Sequence, residues 1–104
     1  MTWRFVPATT VSGELVLSSN LRTIEAEAFA GITASTVRIP TGCTRIGSGA
    51  FRNCANLTAV YIPATVSYIA DDAFEGCANV VIYGKSGSAA IQYANRIGLQ
   101  YALY

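Results

Sequence analysis

The 104-residue chain has no histidine, only three cysteines and three prolines, and few charges. Without an imidazole, neither a Ser-His nor a Cys-His nucleophile pair can be assembled. Cys43, Cys54 and Cys77 form no C-x-x-C pair. A zinc site needs about four Cys or His ligands at local spacing, so none is expected. A secreted disulfide scaffold would carry an even and denser set. Seven basic and six acidic residues give a net charge of +1, and the basic ones are scattered. That excludes the basic stripe of a nucleic-acid binder and the field that attracts a membrane surface. No apolar run approaches the roughly 18 residues of a membrane span. The opening MTWRFVPATT lacks the charged-then-apolar layout of a signal peptide. The expectation is an intracellular protein, a matured one, or a piece of a larger chain.

Short stretches that imitate chemistry lack its full pattern. Gly84-Lys85-Ser86 follows an apolar strand, but a phosphate loop needs a glycine where Asn79 stands. The Gly47-Ser-Gly sequence has Arg52 in place of the third glycine of a dinucleotide fingerprint. Asp71 and Asp72 are adjacent, so one points away from any shared site. They are read as starting a helical turn at Ala73, where acidic groups favour the dipole. Asn56-Leu57-Thr58 is a formal glycosylation acceptor whose place beside a strand argues against use. No enzyme activity, cofactor or metal is expected.

What the chain has is internal repetition. Phe29, Phe51 and Phe74 are spaced by 22 and 23 residues, and Ile24, Ile46 and Ile69 keep the same steps. So do Ala28, Ala50 and Ala73, and Leu21, Cys43 and Val66. Each unit also holds a short alternating run. Alternation sends one set of residues inward and the other outward. The inward columns read Leu15, Val37, Val60, Ile82 and Leu17, Ile39, Ile62, Gly84. The outward columns read Val16, Arg38, Tyr61, Tyr83 and Glu14, Thr36, Ala59, Val81. Apolar residues inside and varied chemistry outside predict stacked parallel strands, one per coil. The Ala-Phe segment of each unit should return along the opposite side as a short helical or 3₁₀ turn. One coil cannot bury its own apolar face, and stacking makes the core continuous.

The stretches Cys54-Ala-Asn-Leu57-Thr-Ala-Val60-Tyr-Ile62-Pro63, Val66-Ser-Tyr-Ile69 and Ala73-Phe74-Glu-Gly-Cys77 resemble the BspA-like (Treponema pallidum type) leucine-rich repeat. The first unit departs from that pattern, with Ile32 where the repeat wants Cys and Ser35 where it wants Leu. The fold expected is an α/β-type leucine-rich repeat solenoid with a short parallel sheet on its concave face and turns or short helical segments on its convex face. Residues 14–84 are the repeats, 1–13 an N-terminal cover with Trp3 and Phe5 on one face, and 85–104 a helix–strand cap. Within the cap, Ser86 or Ser88 is the N-cap candidate, Ile91, Ala94 and Ile97 the apolar face, Gly98 the C′ residue, and LQYALY a closing extended segment. The stretch from Ile82 also resembles the terminal segment that closes many proteins of that family.

A sheet with variable outward residues is a binding surface by construction. The candidate contact residues are Arg38, Tyr61 and Tyr83, since aromatics and Arg are enriched at binding hot spots. Thr36, Ala59 and Val81 form a smaller row beside them. The resemblance implies a bacterial cell-surface or secreted protein that contacts host matrix or other proteins. The alternative is a structural spacer with no ligand of its own. The cysteines are read as reduced, buried small hydrophobes. A Cys54–Cys77 bridge between adjacent coils is the alternative, within the roughly 4.4–6.8 Å that a disulfide spans.

Overall fold

The computed structural model describes residues 8–11, 14–17 and 20–104. Trp3 and Phe5 lie outside the described residues. Strands β1 (Ala8–Val11), β2 (Glu14–Leu17), β4 (Thr36–Arg38), β6 (Ala59–Tyr61), β8 (Val81–Gly84) and β9 (Gln100–Leu103) form one six-stranded sheet in the order β1-β2-β4-β6-β8-β9. From β2 onward neighbouring strands are parallel, and β1 folds back antiparallel on β2. The register is the one the sequence columns require. Leu15 pairs with Val37, Val37 with Val60, and Val60 with Ile82. All four are buried.

A second sheet was not foreseen from the sequence. Two-residue strands β3 (Thr23–Ile24), β5 (Arg45–Ile46) and β7 (Tyr68–Ile69) stack in parallel. Their isoleucines point inward and are buried. The chain is thus a parallel β-solenoid with two sheeted sides joined by turns.

The Ala-Phe segments are successive turns. In the second coil Ala50 N–H donates to Gly47 C=O and Arg52 N–H to Gly49 C=O, each three residues back. The residues between reach the next coil instead, with Phe51 N–H on Ala73 C=O and Asn53 N–H on Glu75 C=O. Left-handed φ recurs at the equivalent positions Gly31, Asn53 and Gly76, and the first two coils have a second such residue at Glu27 and Gly49, which stops the turns from winding into a helix. Asp71 and Asp72 open the turn of the third coil, where Glu75 N–H donates to Asp72 C=O at 3.1 Å, and the turn does not extend into a helix. The Asp71 carboxylate pairs with Arg96 at 2.6 Å. That of Asp72 crosses to the second coil, accepting from Ser48 Oγ at 2.9 Å and Gly49 N–H at 3.1 Å.

Phe29, Phe51 and Phe74 stack through the interior with ring centroids 5.5 and 5.2 Å apart. The one helix among the described residues, α1 (Ala89–Ile97), continues this ladder, with Tyr93 6.1 Å from Phe74. Tyr93 Oη donates to Asp71 C=O at 3.2 Å, which ties the helix to the turn of the third coil. This explains a departure from the expected helix face. Ala90, Tyr93 and Ala94 are buried, whereas Ile97 is 39% exposed. Ser88 is the N-cap, and Gly98 at φ 92° ends the helix with its N–H on Ala94 C=O.

The shortened first unit also resolves differently. With Val37 in register with Val60, Ala34 takes the place of Leu57 and is buried, while Ser35 is half-buried. The missing residue falls before Ala34, in the loop after Phe29.

Ser48, above all, and with it the Gly49 amide and Arg52, hold the Asp72 carboxyl below its ordinary value of 3.8. A depressed carboxyl stabilises the fold fully above its unfolded pKa and loses that effect as pH falls through the folded one. The melting temperature of the wild-type protein is therefore expected to drop relative to that of Asp72→Asn as pH falls below about 4. Melting curves for both proteins across the acid range test this. A gap that stays constant with pH would remove the carboxylate from the account.

Candidate protein-binding surface

The outer face of the six-stranded sheet carries the residues that the sequence singles out. Strand alternation puts Arg38, Tyr61 and Tyr83 in one row, and they are directly paired neighbours on β4, β6 and β8. Thr36, Ala59 and Val81 form the adjacent row, also in direct register and half-buried. All six predicted residues thus share one face.

The row is a continuous stack. The Tyr61 and Tyr83 rings lie 4.7 Å apart and nearly parallel. The Arg38 guanidinium covers the other face of Tyr61 at 4.4 Å. Arg38 Nε is held by Glu14 on β2 at 2.8 Å, which fixes the guanidinium over the ring. Two further side chains join that sequence reasoning did not include. Tyr104 meets Tyr61 edge-on at 5.3 Å and is 45% exposed. Lys85 Nζ sits 4.1 Å over the Tyr104 ring and donates to the Tyr104 carbonyl at 2.8 Å. Lys85 thus has a structural partner, in keeping with the absence of a phosphate loop. Partial burial raises the Tyr104 phenol above its ordinary value. The signal for Tyr104 was weak in sequence, because it follows β9 and belongs to no repeat column.

The second sheet shows a smaller version of the same motif, with the Arg45 guanidinium 4.5 Å over the Tyr68 ring. Among the described residues no group of three or more Cys, Asp or Glu side chains is placed to hold a metal ion. None of the described helices is long and apolar enough to cross a membrane.

Residues 9–92 match the family model described as a BspA-type leucine-rich repeat region of six copies. The chain belongs to that family. Searches of the curated proteins and of the solved structures find no match. A leucine-rich repeat solenoid is typically a non-catalytic scaffold, and the BspA-type family suggests a protein-interaction module, commonly one at a cell surface. The paired register of β4, β6 and β8 is the physical form of the repeat, one strand from each coil.

Proposed function

We propose that this BspA-type chain is a protein-binding module, working as an adhesion domain of a bacterial cell-surface or secreted protein. Its contact would centre on Arg38, Tyr61 and Tyr83, with Thr36, Ala59 and Val81 alongside. The observation that carries this reading is the ordered row itself. Tyrosine offers a large amphipathic area at low entropy cost, and stacking has already fixed the rings. Arginine at one end adds directed donors. The Thr-Ala-Val row is low enough to admit a partner's side chains. Both faces of the Tyr61 ring are covered, so a partner would meet its edge and hydroxyl. That suits hydrogen-bonding protein surface better than a sugar ring seeking an open aromatic face.

The rival reading is a spacer, and one observation favours it: Arg38, Tyr61 and Tyr83 satisfy one another and Glu14 without any partner. The double variant Tyr61→Ser with Tyr83→Ser separates the two. It should fold, losing about 0.5–1.5 kcal/mol of ring stacking beyond the lost area. Binding is measured against a panel of purified host matrix proteins. The module reading expects a matrix protein bound by wild type and most of that affinity gone in the folded double variant. Undiminished binding would move the contact to another face, and no binding by wild type would favour the spacer.

A further inference from the structure

Strand β9 (Gln100–Leu103) ends the six-stranded sheet, and among the described residues β8 is its one strand partner. Tyr104 N–H donates to Gly84 C=O, so by the alternation of a parallel ladder the backbone groups of Gln100 and Ala102 also face β8. Those of Tyr101 and Leu103 face the open edge. Large hydrophobic side chains are exposed at the same place, with Leu103 at 59% and Tyr101 at 47%. Edge strands are commonly protected by Lys, Pro, a bulge or a covering loop. From Leu99 to Tyr104 the chain carries no charge and no proline, and the register of β9 with β8 runs without a bulge. The Tyr104 ring turns back onto Tyr61, away from the edge.

The strand is complementary to itself. About a two-fold axis through Ala102, antiparallel pairing sets Tyr101 opposite Leu103 of the second copy, and the two residues exchange both backbone bonds. At the axis Ala102 meets Ala102. That pair is not hydrogen-bonded, so its Cα atoms approach to about 4.5 Å, against about 5.5 Å at the bonded pairs. The smallest side chain of the strand thus stands where the two strands are closest. Tyr101 and Leu103 continue the inward columns of Ile82 and Gly84, so both copies bring them to one face, where each aromatic meets an aliphatic. No charge on either strand opposes the match.

We propose that β9 is a self-association edge, at which a second copy of this chain adds antiparallel and continues the sheet across a two-fold axis at Ala102. A contact that uses the same patch on both copies closes at the dimer. The axis runs normal to the sheet, so both outer faces look the same way, and two Arg38–Tyr61–Tyr83 rows lie on one surface. The pairing itself does not depend on what that surface binds. Two four-residue strands bury less than a standard interface, so the association is reversible and follows concentration.

Sedimentation velocity of the full chain, from micromolar to millimolar concentration, measures the association. Wild type should pass from monomer to dimer with no larger species. Ala102→Glu sets two carboxylates together at the axis and should stay monomeric throughout. Leu103→Lys, which charges the edge, serves if the glutamate variant does not fold by circular dichroism. Cross-linking reads the register. On mild oxidation Ala102→Cys should join two copies through position 102, because about 4.5 Å lies within the roughly 4.4–6.8 Å that a disulfide spans. Tyr101→Cys should cross-link far more slowly, since its two-fold mate lies on a diagonal of about 7–8 Å. Peptide mapping locates each bridge. Four results would overturn the proposal: wild type that is monomeric at every concentration, a dimer that persists in the folded charged variant, equal cross-linking rates at positions 101 and 102, or masses that grow beyond the dimer. The last would set β9 against the β1 end of the next copy in an open head-to-tail array.

Discussion

Phe51→Ala is expected to cost about 3–5 kcal/mol, the usual range for deleting a fully buried aromatic side chain. Phe51 has no exposed surface and lies between two other rings, at 5.5 Å from Phe29 and 5.2 Å from Phe74. Its loss removes both stacked contacts at once and leaves a void in mid-column. The backbone limits collapse into that void. Phe51 N–H is bonded to the third coil, and Phe51 C=O accepts from Cys77 Sγ. Small domains have total stabilities of about 5–15 kcal/mol, so the variant should be folded weakly or not at all. Urea unfolding followed by circular dichroism measures the difference. A variant melting within a degree or two of wild type would show that the phenylalanine ladder is not the core.

The second large effect is expected at Gly47. A Cβ there would stand 2.9 Å from Ala26 N and Ile24 O and 3.0 Å from Glu25 C, all backbone atoms of the preceding coil. Backbone cannot swing aside as a side chain does, so Gly47→Ala must push two coils apart. That would stretch the bond from Gly47 N–H to Ile24 C=O, which is 2.8 Å. Overpacking of this kind costs about 1–3 kcal/mol. The equivalent position one coil later is Ala70, which carries a Cβ and still donates to Ile46 C=O at 3.0 Å. The close approach thus belongs to the first and second coils. Urea unfolding of Gly47→Ala measures the cost, and a variant as stable as wild type would show that the coils have slack there.

The sequence columns fixed by period translate directly into strand register. Val37, Val60 and Ile82 are paired neighbours because a repeated coil returns the chain to the same height each turn. Arg38, Tyr61 and Tyr83 share a face for the same reason, and alternation within each strand separates them from the buried set. Features not tied to the period were harder to read. Strands β3, β5 and β7 are two residues long, too short for alternation to be recognised, although their isoleucine column was visible. The deletion in the first unit could be placed by aligning the phenylalanines or the strands. Only the packing of Ala34 decides for the strands. The buried face of α1 turns away from Ile97, which apolar spacing could not show, because it does not reveal a tyrosine that extends the phenylalanine ladder and bonds to Asp71 C=O. The Glu14–Arg38 pair and the edge contact of Tyr104 depend on side-chain reach across coils, which no single coil's pattern contains.

The in-register pairing of β4, β6 and β8 makes the length of this molecule a countable quantity. A tandem duplication of the second unit, cut at equivalent points, would insert a rung whose neighbours above and below already match it. Neither the antiparallel β1 at one end nor the α1–β9 cap at the other would have to change a contact. Each inserted rung would extend the sheet by about 4.7–4.9 Å. It would also add one tyrosine to the outer row and one phenylalanine to the inner ladder. Reach and contact area are therefore coupled in this architecture, and both grow by unequal crossing-over of one short segment of DNA without the invention of any new packing.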